Sequence, residues 1–63
     1  MRYVVYMKDI EGCINSSNCN NRAERDVLID NIKRFDYITD AAYCPIYASG
    51  EYGKRINIKG KYC

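Results

Sequence analysis

The sequence has no histidine and no tryptophan, one proline, one phenylalanine and only four glycines. Without histidine, the side chain that most often moves protons near neutral pH is missing, and no Ser-His-Asp or Cys-His arrangement can be built. The glycines are scattered, so no glycine-rich loop is available to cradle a phosphate. No apolar run approaches the roughly 18 residues of a membrane span. The longest, Tyr3 to Met7, is also too short for a signal-peptide core, and no small-residue cleavage site follows it. These absences predict a cytoplasmic protein that is not an enzyme, holds no cofactor or metal and does not engage a membrane.

What is present bounds the fold. Sixty-three residues, 48% of them apolar, with a net charge of +2, make one small globular domain over residues 1–63. Below roughly 70–80 residues a single core rarely supplies more than about 3–5 kcal/mol, so cysteines or a partner surface are expected to assist. Asn, Ile, Lys and Tyr together supply 26 of the 63 residues. All four are encoded by AT-rich codons, a bias expected of an AT-rich bacterium or of a phage or mobile element living in one. Tyrosine stands out beyond that bias, with seven copies against one phenylalanine. It offers rigid contact area with a polar tip, and it also fills half-buried sheet positions.

Along the chain, Arg2–Lys8 (RYVVYMK) is β-branched and aromatic, with Tyr3, Val5 and Met7 on one side and Val4 and Tyr6 on the other. Both sides are apolar or amphipathic, as in a central strand covered on both faces. Asp9 to Asn21 is rich in turn formers and reads as a loop. Asn21 to about Asp36 reads as an amphipathic helix. Asn21 is its N-cap, Glu24 sits three residues on, and Leu28, Ile32 and Phe35 form the middle of an apolar stripe edged by Val27 and Ile29. Arg22, Asp26, Asp30 and Lys33 take the opposite face, and Arg22–Asp26 and Asp30–Arg34 are spaced as i,i+4 pairs. Tyr37 to Ala48 reads as a strand whose Pro45 demands an edge or a bulge. Ser49 to Gly53 reads as a hairpin loop, and Lys54 to Tyr62 as a half-exposed strand with a frayed end. The predicted fold class is a small α+β domain of order β-α-β-β, one amphipathic helix on a three-stranded, mainly antiparallel sheet. If the first strand runs parallel to the one after the helix, the crossover is right-handed. One sheet face is left bare, to be carried by Tyr3, Tyr6, Tyr43 or Tyr47 and covered by dimerisation.

Three chemistries compete for Cys13, Cys19, Cys44 and Cys63. A zinc site has the right count but lacks C-x2-C knuckles. Disulfides suit the small size but not a reducing compartment. Reduced thiols would place Cys44 in the core and the other three partly exposed. Asp26 and Asp30 share a helix face but have basic neighbours, as a solvated surface does. Asp36, Asp40 and Glu51 would form an acidic patch if they cluster.

The charge is polarised. Residues 54–63 carry Lys54, Arg55, Lys59 and Lys61 and no acid, whereas residues 1–53 hold six basic and eight acidic groups. With Tyr52 and Tyr62 flanking, this strand suits nucleic acid, although four charges on an edge strand also guard against aggregation. The candidate binding residues are therefore Tyr3, Tyr6, Tyr43, Tyr47, Tyr52, Arg55, Lys59 and Lys61. The leading functional expectation, by analogy of size and composition, is a small binding protein, a homodimer. In this reading it is a phage or mobile-element inhibitor that occupies a larger host defence protein stoichiometrically. A nucleic-acid-binding regulator is the first alternative. The second is a dimer that sequesters a nucleotide or metabolite, with Arg2, Lys8 and Arg55 as donors.

Overall fold

The structure, a computed structural model, describes residues 1–62. It contains β1 (Arg2–Asp9), β2 (Ile14–Cys19), α1 (Arg22–Arg34), β3 (Ile38–Ile46) and β4 (Ile56–Lys59). One helix packs on a four-stranded antiparallel sheet of order β2-β1-β3-β4. The domain is α+β as expected, with one strand more than the sequence predicted. β1 is interior and antiparallel to both neighbours, so no parallel crossover exists.

The extra strand is β2, INSSNC, whose composition reads as loop. It is recruited by the turn before it. Both Glu11 and Cys13 donate backbone N–H groups to Asp9 Oδ1, at 2.9 and 3.0 Å. Gly12 takes φ 85°, and Asp9 N–H donates to the Cys13 carbonyl at 3.1 Å. This turn aims Ile14–Cys19 back along β1 in an unbroken register from Lys8↔Ile14 to Tyr3↔Cys19. Pairing to a strongly β-prone strand overrides weak propensity.

The register also explains Pro45. Because Asp9 and Cys13 form a hydrogen-bonded pair, alternation directs the N–H and C=O of Tyr3, Val5 and Met7 toward β2. Pro45 lies opposite Tyr3 on the other side, so its backbone groups point away from β1. Its carbonyl accepts the Gly53 N–H at 2.8 Å, beyond the stretch that β4 covers. The missing N–H removes no bond to β1; it costs only the reciprocal bond to the Gly53 carbonyl, and proline is accommodated in an interior strand. A bulge does occur in β3, but at Thr39 opposite the Lys8–Asp9 step, and a second lies in β4 at Ile58 opposite the Ala41–Ala42 step.

Helix α1 starts as the sequence predicts. Asn21 Oδ1 accepts the Glu24 N–H at 2.9 Å. It ends at Arg34, because Phe35 turns extended (φ −88°, ψ 110°) and its ring leaves the apolar stripe to stand 57% exposed. Asp30–Arg34 pairs at 3.0 Å, whereas Asp26 is bound by Arg25 at 2.7 Å rather than by Arg22. Between helix and sheet lie Tyr3, Val5, Cys19, Ile32 and Ala41, with Met7, Leu28, Ile38, Tyr43 and Ile58 packed against them. Val5 and Ile32 are the largest side chains fully withdrawn from water, a small core. Cys19 is thus buried, against the expectation of partial exposure, while Cys44 is buried as expected and Cys13 is exposed. All three are free thiols; Cys63 lies outside the described residues. Among the described residues no helix is long and apolar enough to cross a membrane.

Candidate functional site

The strand alternation that buries Tyr3, Val5 and Met7 under α1 sends Arg2, Val4, Tyr6 and Lys8 to the other sheet face. Ser16 and Asn18 of β2, Ala42, Cys44 and Ile46 of β3 and Asn57 of β4 join them through the pairings. No helix covers this face, yet Val4, Ala42 and Cys44 are buried on it. On this face Tyr6 lies against Cys44, and the chain's last described residues bring Tyr62 onto Tyr6.

Those residues return over the sheet because a glycine turn and three hydrogen bonds hold them. Gly60 adopts φ 60°, where a Cβ would run into Asp40 Oδ1 and the Thr39 carbonyl. Asp40 Oδ1 accepts the Lys61 N–H at 2.8 Å, Asn57 Nδ2 donates to the Gly60 carbonyl at 2.7 Å, and Asn57 Oδ1 accepts the Tyr62 N–H at 3.3 Å. Tyr62 is thereby laid on Tyr6, with ring centroids 5.8 Å apart and planes 22° from parallel. The Arg55 guanidinium stands 5.3 Å from the Tyr62 ring centroid. The chain end for which fraying is expected is placed, up to Tyr62, on this surface. Burial pushes the Tyr6 phenol above its ordinary value, and neighbouring Cys44, Tyr52 and Tyr62 push it the same way.

Beside this stack lies a polar cleft of about 350 Å³, lined by Arg2, Asn18, Asn20, Ile46, Gly50 and Tyr52. Tyr52 is held at its rim by an isolated bridge to Ile46 and leaves 60% of its surface in water. Basic Arg2, Lys8 and Arg55 share the face with one acid, Asp40, whose carboxylate is already engaged. The Lys61 N–H and then the Thr39 hydroxyl (2.9 Å) hold it below the ordinary aspartate value. Asp40 therefore serves the tail and not an acidic patch.

The eight candidate residues do not form one surface. Tyr6, Tyr52 and Arg55 come together on the uncovered face, and Lys61 begins the tail that crosses it. Tyr3 and Tyr43 do not belong to a bare face. They meet edge-on under α1, centroids 6.1 Å apart, and the Arg25 guanidinium covers both at 4.7 and 5.1 Å. Tyr47 sits on the hairpin, its hydroxyl close over Gly53. Lys59 faces the helix and donates to the Phe35 and Ile32 carbonyls at 2.8 and 3.4 Å, capping the C-terminus of α1.

The role of Arg25 and the placement of Tyr62 escape sequence reasoning. Arg25 sits three and seven residues before Leu28 and Ile32, on the same helical face. That spacing was the available signal, obscured because arginine counts as polar although its stem buries readily. The placement of Tyr62 depends on Gly60 and Asp40, twenty residues apart, and has no local signal. Among the described residues no group of three or more Cys, Asp or Glu side chains is arranged to hold a metal. The chain matches no protein-family model, no curated protein and no solved structure.

Proposed function

We propose that this chain is a small non-enzymatic binding protein that acts by occupying a larger protein, with the uncovered sheet face as its working surface. The concrete form of the proposal is a phage or mobile-element inhibitor of a bacterial defence protein, acting in the host cytoplasm. The observation that carries it is the pre-ordered stack Tyr6–Tyr62–Arg55 beside the exposed ring of Tyr52. Tyrosine and arginine dominate binding hot spots, and rings already fixed by their neighbours lose little freedom on association. A protein partner fits this stack better than nucleic acid does. One face of Tyr6 is taken by Tyr62, and Tyr62 is taken again by Arg55, which leaves little ring surface for base stacking. Of the basic residues in the C-terminal segment, Lys59 is engaged by the helix end.

The test is co-purification from nuclease-treated lysate of an AT-rich bacterium, with wild type and a Tyr52→Ala/Arg55→Ala double variant compared. The expected result is one host protein at near-equal molar yield with wild type and its loss from the double variant, whose far-UV circular dichroism is unchanged. Retention by the double variant overturns the assignment of this face. Binding that needs untreated lysate and falls steeply with salt replaces the reading with nucleic acid.

The cleft of Arg2, Asn18, Asn20 and Tyr52 favours a second reading, a nucleotide or metabolite held by one cation, two amides and a ring. A thermal shift with a nucleotide panel checks it, and no stabilisation at millimolar ligand removes it.

A further inference from the structure

The two edges of the sheet are built differently. The β4 edge is four residues long, is broken by a register shift at Ile58, and carries Lys59 with Lys54, Arg55 and Lys61 beside it. Short length, irregular pairing and positive charge are the usual protections of an exposed edge. The β2 edge has none of them. It runs six residues in unbroken register, carries no charge and no proline, and among the described residues has no neighbour on its outer side.

Its unpaired groups can be identified. Asp9 N–H bonds the Cys13 carbonyl, so alternation turns the N–H and C=O of Asn15, Ser17 and Cys19 toward β1. Those of Ile14, Ser16 and Asn18 point outward. These three positions are symmetric about Ser16. A second β2 laid antiparallel across a two-fold axis at Ser16 sets Ser16 against Ser16, and Ile14 against Asn18 of the second copy. Every outward N–H and C=O of the strand is then paired. The facing side chains are small or neutral, so no like charges meet.

A groove of about 450 Å³ runs beside this edge on the helix side, lined by Ser17, Cys19, Ala23, Val27, Leu28 and Asn31 among others. Val27 stands 64% exposed on its wall, an apolar residue that α1 does not turn into its own core. A two-fold perpendicular to the sheet keeps both helices on the same face, so the two grooves merge into one trough between them.

The geometry points to a second copy of this chain as the occupant of the β2 edge, giving a homodimer with a continuous eight-stranded antiparallel sheet. The dimer places two copies of the Tyr6–Tyr62–Arg55 face side by side on one surface. This interface lies at the sheet edge and does not depend on what the uncovered face binds. It also differs from the face-to-face dimer that the sequence suggests. Such an assembly answers the small size of the monomer core.

Sedimentation velocity on the full chain tests it, with two variants. Wild type is expected at twice the 7.3 kDa chain mass. Ser16→Pro removes an outward N–H and leaves the β1 ladder intact, and is expected to weaken self-association at least about tenfold, equal to about 1.4 kcal/mol. Ser16→Cys in a Cys13→Ser/Cys63→Ser background is expected to form a covalent dimer on mild oxidation, because paired Cα atoms at about 5.5 Å lie within disulfide reach. A wild type that stays monomeric to about 1 mM overturns the proposal and leaves the edge to a strand of another protein. A wild-type dimer that Ser16→Cys fails to cross-link overturns it as well, and this second variant decides the matter if Ser16→Pro does not fold.

Discussion

The Lys59 ammonium lies 2.8 Å from the Phe35 carbonyl, so the last strand of the sheet caps helix α1. A cation placed on unsatisfied C-terminal carbonyls favours the helix by about 0.3–1 kcal/mol in exposed settings. Lys59→Met keeps the stem and deletes the charge. It is expected to lower stability by about 1 kcal/mol in urea denaturation and to leave partner binding unchanged. If binding fell while stability did not, Lys59 would belong to the working surface instead.

Arg25 is expected to matter more than its charge suggests. Its side chain is 17% exposed, bonded to Asp26 and spread over Tyr3 and Tyr43. Arg25→Ala uncovers both rings and should cost about 1–2 kcal/mol. Arg25→Lys should recover only part of this, since an ammonium cannot stack flat on two rings. Chemical denaturation of the two variants ranks them, and equal stability of Arg25→Lys and wild type would show that charge alone suffices.

Acid should loosen the tail selectively. The Lys61 N–H and Thr39 hydroxyl hold Asp40 below its ordinary value in the folded chain. A carboxyl with a depressed folded pKa stabilises above its unfolded value, about 3.9, and that stabilisation is lost as pH falls through the folded value. The Tyr6–Tyr62 near-ultraviolet dichroism is therefore expected to be constant from neutral pH to about 5 and to weaken below about 4. In Asp40→Asn the same signal should lack this acid step.

Gly60 and Gly50 provide a matched pair. Both have positive φ, but a Cβ at Gly50 meets open space while one at Gly60 meets Asp40 and the Thr39 carbonyl. Gly50→Ala should cost about 1 kcal/mol of backbone strain. Gly60→Ala should cost more and should also abolish the Tyr6–Tyr62 dichroism by displacing the tail. Equal effects on that signal would mean that Gly60 does not set the tail's path.

Thiol labelling separates the cysteines. In a Cys63→Ser background, Cys13 is expected to react with an aromatic disulfide reagent at the rate of a free thiol. Cys19 should react orders of magnitude more slowly, because burial, and then Glu24, pushes its thiol up and withholds the thiolate. Equal rates would show that Cys19 opens to solvent without unfolding.

Much of the architecture was legible locally. Alternation in Arg2–Lys8 specified a strand with two useful faces, and Asn21, Glu24, Leu28 and Ile32 specified the helix and its inward side. Period and capping are properties of neighbouring residues, so sequence alone determines them. Three features needed the tertiary fold. Ile14–Cys19 became a strand because the Asp9 turn carried it onto β1, a partner effect that its own composition opposes. The tyrosines divided between a covered and an uncovered face only once the helix had chosen the side of Val5, and this placed Tyr3 and Tyr43 under Arg25. The tail reached Tyr6 only through Asp40 and Asn57, contacts that close loops of the chain and leave no periodic trace. Composition and period determined what the elements are; long-range pairing decided which side chains meet, because a residue's face in a sheet is set by its partner strand and by the layer that covers it.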